Sequence, residues 1–163
     1  MELITLIMMK NDEIPKTGAD KQYLTLMGNT LFTPCMQIVT AREAFKYVPA
    51  MTEIMLANNG VGISANQVGL LIPLFLFKRH DGRIQPVYKP KVNNHSKEWE
   101  AEEEGCLSFP ESKAKKSRPL AIDVSFCSQK NGKFSHMKLY GLEARIFLHE
   151  QDHLAGKTIV DPF

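Results

Sequence analysis

The chain has 163 residues, 44% hydrophobic and 23% charged, with a formal net charge of +2. That length suits one domain with a substantial core, and the charge is too mild to point to nucleic acid or to a membrane surface. Cys35, Cys106 and Cys127 are few and odd in number, which argues against a disulfide framework and for a reducing compartment.

The apolar run at residues 3–9 is too short to span a membrane. Glu2 precedes it, where a secretory signal would carry a basic residue. Residues 1–20 read as an N-terminal extension of the single domain, with a loop at 11–20 and no assigned function. Thr40 and Glu43 match a capping box. A helical pattern follows through Phe45, Val48, Met51, Ile54 and Met55 and ends at Asn58-Asn59-Gly60. Pro49 either kinks that helix or opens its main part as the first residue. The Met and Phe stripe reads as core.

Gly60, Gly62 and Gln67 lie in the next segment. A dinucleotide loop would follow a strand and open a helix. Here the order is reversed, because residues 70–77 read as a buried strand. The glycines instead let the backbone approach something closely, and Gln67 offers an amide. Residues 84–92 and 97–104 read as a strand pair. Glu102, Glu103 and Glu104 read as a solvated face. Cys106 alone would pass for a small buried hydrophobe, yet its thiolate is a candidate metal ligand. The basic residues of 113–118 read as an exposed loop. Ile122, Val124 and Phe126 then alternate with polar residues, with Cys127 on the other face. Asn131-Gly132 signals a type I′ turn into a partner strand at 134–140. His80, His95 and His136 read as surface residues.

The last element is the most informative. Residues 142–155 read as a helix, with Gly156 as its left-handed end. It carries His149-Glu150-Gln151-Asp152-His153, an H-E-x-x-H pattern. Residues four apart share a helix face, so both histidines can bind one metal ion. Glu150 is offset by about 100° and can reach a water there without being a ligand. A plain hydrogen-bonded histidine pair is the alternative. Against it, Leu142 and Ile146 share the histidine stripe, and Phe147, Leu148 and Leu154 make the other sides apolar. Such a helix is buried, and its polar groups need partners. A third ligand is not supplied by the tail, where Ile159 and Asp161 stand, so it comes from upstream.

Three stretches together resemble the signature motifs of the peptide deformylase family. Gly60, Gly62, Ala65 and Gln67 match G-x-G-x-A-A-x-Q, with Ser64 where alanine is usual. Glu104 to Ser108 match E-G-C-L-S throughout. His149, Glu150, Asp152 and His153 match H-E-x-D-H. The resemblance runs from about residue 22 to the end.

The resemblance implies an α+β fold, peptide-deformylase-like, with antiparallel sheets around a central metal-binding helix. It implies hydrolytic removal of the N-formyl group from N-formylmethionine on nascent polypeptides. It also implies the ligand set Cys106, His149 and His153, binding Fe²⁺, with Zn²⁺, Ni²⁺ or Co²⁺ able to substitute. Glu150 is then the general base, and the Gln67 amide and Leu107 N–H are the oxyanion donors. Val61, Gly62, Leu142, Arg145 and Ile146 are candidates for the methionine pocket. A Glu104–Arg118 ion pair would fix the Cys106 loop. Many members add a C-terminal helix, used by some at the ribosome, and this chain stops too early for one. The expectation is a monomer without nucleic-acid or membrane partners. Its setting is the cytoplasm of a bacterial or phage-infected cell, and the lack of a transit-peptide pattern disfavours an organelle. The rival readings are a small metallopeptidase, a structural metal module with Cys127 or Cys35 as fourth ligand, and a family member that binds without catalysis. The intact Glu150 and Gln67 argue against the last.

Overall fold

A computed structural model describes residues 28–160. The expectations for residues 1–20 and for Asp161 lie outside the described residues. The helices are α1 (Gly28–Leu31), α2 (Ala41–Ala44), α3 (Val48–Ala57) and α4 (Gly141–Leu154). The strands are β1 (Gly62–Ser64), β2 (Leu74–Lys78), β3 (Ile84–His95), β4 (Trp99–Cys106), β5 (Phe109–Pro119), β6 (Ala121–Cys127) and β7 (Phe134–Tyr140). An antiparallel five-stranded sheet runs β1-β2-β3-β6-β7, and β4 and β5 form a separate two-stranded sheet. The fold is α+β, as the resemblance implied.

The apolar run of β2 follows from burial on both faces. Leu74 and Leu76 pack with Met51, Ile54 and Met55 of α3. Phe75 and Phe77 face the other way, toward Phe147 of α4. The alternation in β6 splits likewise, Val124 and Phe126 joining the α4 side and Cys127 the α3 side. Phe147 anchors α4 to the sheet, with ring centroids 5.0 Å from Phe75 and 6.2 Å from Phe126.

The capping box at Thr40 forms, with Thr40 Oγ1 accepting from Glu43 N–H at 3.2 Å. A 3₁₀ turn, Phe45–Tyr47, separates α2 from α3. Pro49 stands in the first turn of α3, where its missing N–H costs nothing. Gly156 ends α4 with φ +74°, and a Cβ there would come within 2.8 Å of the Phe32 carbonyl oxygen.

Four strand-level expectations change. Residues 84–92 do not pair with 97–104. Instead β3 lies between β2 and β6, and β4 pairs with β5. The basic segment 113–118 is therefore strand, not loop. Its register sets Glu102 opposite Lys116, Glu103 opposite Lys115 and Glu100 opposite Arg118, and facing opposite charges favour that pairing. The run at 70–77 is strand only from Leu74. Asn131-Gly132 does not form a two-residue I′ turn. Gly132 has φ +80°, but Asn131 is not among the residues with positive φ, and I′ needs both. Gly132 N–H closes a turn on the Gln129 carbonyl at 3.0 Å within a longer connection.

Candidate active site

Helix α4 supplies two imidazoles and a carboxylate, and the tip of the β4–β5 hairpin supplies a thiol. His149 and His153 bring their Nε2 atoms 3.2 Å apart, and Cys106 Sγ lies 3.2 Å from His153 Nε2. One ligand atom from each of the three falls within 4.8 Å of the others. A tetrahedral site with bonds of about 2.0–2.3 Å needs such spacing, and one thiolate with two imidazoles suits a transition metal. Among the described residues no other His, Cys, Asp or Glu joins the cluster. Cys35 Sγ faces the Leu70 carbonyl and Cys127 Sγ the Gln129 carbonyl, so neither serves as a fourth ligand.

The imidazoles are held in place. His149 Nδ1 meets Glu104 Oε2 at 3.1 Å, which turns its Nε2 toward Cys106. Glu104 in turn takes a two-pronged bond from Arg118, with Nε and Nη2 each at 2.9 Å. The expected ion pair is therefore present, and Arg118 extends it by donating to Asp152 Oδ2 at 2.7 Å. Burial resists charging Glu104, but the Arg118 and His149 hydrogen bonds outweigh it and hold its carboxyl far below the ordinary range.

Glu150 lies on the neighbouring face of α4 and is 4% exposed. Burial pushes its pKa up to about 7, against the pull of His149 and a Ser64 hydrogen bond. Ser64 Oγ donates to Glu150 Oε2 at 2.7 Å, and Ser64 N–H donates to Gln67 Oε1 at 2.8 Å. Fixing that oxygen turns Gln67 Nε2 toward Ser108 Oγ, at 3.0 Å, and Cys106 Sγ, at 3.7 Å. Leu107 follows Cys106 in the tight turn between β4 and β5. The two glycines are needed for close approach. A Cβ on Gly60 would lie 2.7 Å from Leu107 Cδ1, and one on Gly62 would strike the Glu150 carboxyl.

These groups open into one cavity of about 400 Å³. Val61, Gly62, Leu142, Arg145 and Ile146 all line it, with Leu107, Gln67 and all but the deepest of the candidate ligands, His153. Leu142 stands at the rim, 67% exposed, whereas Ile146 and Arg145 are buried. His80, His95 and His136 are exposed, as expected. Sequence reasoning missed the roles of Ser64, Ser108 and Asp152. Ser108 and Asp152 had a signal, as the fixed S of E-G-C-L-S and the fixed D of H-E-x-D-H, whereas Ser64 stood out only as a departure from its motif.

Residues 21–163 match the family model of polypeptide deformylase. The peptide deformylase of Thermotoga neapolitana is 38% identical over 120 residues, covering 73% of this chain and 72% of that protein. The chloroplastic peptide deformylase 1B of Solanum lycopersicum is 37% identical over 120 residues, covering 71% of this chain. This chain spans only 43% of that longer relative. The crystal structure of the Thermotoga maritima enzyme superposes with a TM-score of 0.75 at 34% identity, covering 81% of this chain and 89% of that one.

Proposed function

Because the chain belongs to the polypeptide deformylase family, metal-dependent hydrolases that remove the N-formyl group from nascent peptides, we propose that its cavity carries out this reaction on N-formylmethionyl peptides. One observation carries the reading: Cys106, His149 and His153 converge within 4.8 Å beside Glu150 and Gln67, in a cavity large enough for a methionine side chain.

Cys106, His149 and His153 would hold the ion, which we take to be Fe²⁺, with Zn²⁺, Ni²⁺ or Co²⁺ as substitutes; it would supply a Lewis acid and lower the pKa of water. Glu150 takes a proton from the attacking water and passes it to the leaving nitrogen. Burial favours its protonated form, which helps it take up the proton before passing it on. The formyl oxygen gains negative charge as its carbon becomes tetrahedral. In this reading Gln67 Nε2 and the Leu107 N–H are the donors to it, and losing one such donor costs roughly 10²- to 10³-fold in rate. Val61, Leu142, Ile146 and Leu107 offer apolar walls for the methionine side chain.

The test is release of formate from a short formyl-Met peptide, using protein loaded with Fe²⁺ without air and a Glu150→Ala control. Rapid release that the control abolishes supports the reading. Stoichiometric metal without formate release rejects it, and cleavage of internal peptide bonds would favour the metallopeptidase.

A further inference from the structure

We propose that Arg145 is a positioning residue for the metal centre: it pins both strands of the β4–β5 hairpin to α4 and so fixes where the Cys106 thiolate meets the two imidazoles. The inference rests on the reading that this centre binds a divalent cation, and not on the reaction it catalyses.

The ligand set is divided between two elements. The helix itself fixes the spacing of His149 and His153. Cys106 stands at the end of β4, in a two-stranded sheet that shares no ladder with the five-stranded one. A lone hairpin is marginally stable. The contacts that dock it on α4 therefore decide where the sulfur lies.

Arg145 sits one turn before His149, on the same helix face. All three of its guanidinium nitrogens are engaged. Nη1 donates to Glu104 Oε1 at 2.8 Å and to the Lys116 carbonyl at 2.9 Å. Nη2 donates to the Glu100 carbonyl at 2.8 Å, and Nε lies 3.3 Å from Glu102 Oε2. Glu100 belongs to β4 and Lys116 to β5, so one side chain grips the backbone of both strands. Carbonyls cannot rotate away as side chains can, so these bonds locate the hairpin itself. The Glu104 oxygen ties the same guanidinium to the carboxylate that orients His149. Arg145 lines the cavity, but its donors face the hairpin. Its place beside the histidine stripe suggested a substrate contact, and its partners make it a clamp. A lysine could not reproduce the grip, since it offers a point charge in place of a planar fork.

The test uses the full chain and Co²⁺ as probe, reading affinity by competition with a chromophoric chelator and geometry by the cobalt–thiolate charge-transfer band. Arg145→Met should weaken Co²⁺ binding by about 10- to 100-fold, the usual loss when a group holding a ligand is removed, and should shift or weaken the band. Arg145→Lys should fall between Met and wild type. Ile54→Val, which loosens the core on the α3 side without touching α4 or the hairpin, should leave affinity and band unchanged. A folded Arg145→Met protein with wild-type affinity and an unaltered band would overturn the proposal. If that variant does not fold, Arg145→Lys decides by the same two readings. Wild-type protein that binds Co²⁺ but releases no formate, even with Fe²⁺, would reject the proposed activity and leave this role of Arg145 standing.

Discussion

A Cβ on Gly62 would lie 2.8 Å from the carboxyl carbon of Glu150, so the glycine loop and α4 touch where the proposed general base sits. Strand β1 is thereby the back wall of the site. Gly62→Ala should displace the Glu150 carboxyl. A shift of about 1 Å in a reacting group can cost 10²-fold in rate, and we expect a kcat loss of that order with metal content unchanged. Steady-state kinetics with metal analysis checks this, and a wild-type kcat would show that the carboxyl tolerates the push.

The pH profile follows from the same carboxyl. Burial raises Glu150 to about 7, so in the metal-free protein it is protonated below that value. A base works in its ionised form, so kcat/KM should rise with pH and level off above the pKa. A divalent cation nearby favours the carboxylate, which places the limb of the loaded enzyme below pH 7. Ser64 donates to the ionised form, so Ser64→Ala should raise the pKa and move the limb to higher pH. An unmoved limb would mean that this hydrogen bond does not bear on the base.

Arg118 ties Glu104 of the hairpin to Asp152 of α4. Arg118→Ala should loosen metal binding by about 10- to 100-fold, because Glu104 then holds His149 less firmly. It should also cost roughly 3–5 kcal/mol of stability, since it leaves a buried carboxylate short of its main partner. Chelator competition and denaturant melts separate the two effects. Wild-type metal affinity in a folded variant would confine Arg118 to stability.

Phe147 is fully buried among Phe75, Phe77 and Phe126. Phe147→Ala should cost about 3–5 kcal/mol in a denaturant melt, through lost burial and the cavity left behind. A loss under 1 kcal/mol would mean that the sheet collapses onto the gap, which the close packing of four rings opposes.

Short-range regularities were legible in the sequence alone. The shared face of His149 and His153, the capping box of Thr40 and Glu43, and the left-handed end at Gly156 depend only on neighbours along a helix. The glycines announced a close approach because only glycine lacks a Cβ, but Leu107 and Glu150, the groups approached, lie far along the chain. Charge showed that Lys113 and Lys115 face water, but not that Lys116 is half-buried and Arg118 buried. It could not show that the exposed pair face water from a strand, because a strand and a loop expose charge equally well. The pairing of β4 with β5, the double hold of Ser64 on Glu150 and Gln67, and the engagement of Arg145 with two strands are all long-range. They depend on which surfaces meet when α4 packs on the sheet, and periodicity carries no record of that. The residue types at the candidate metal centre were therefore readable from the sequence, whereas the network that brings Cys106 to the two histidines was decided by tertiary packing.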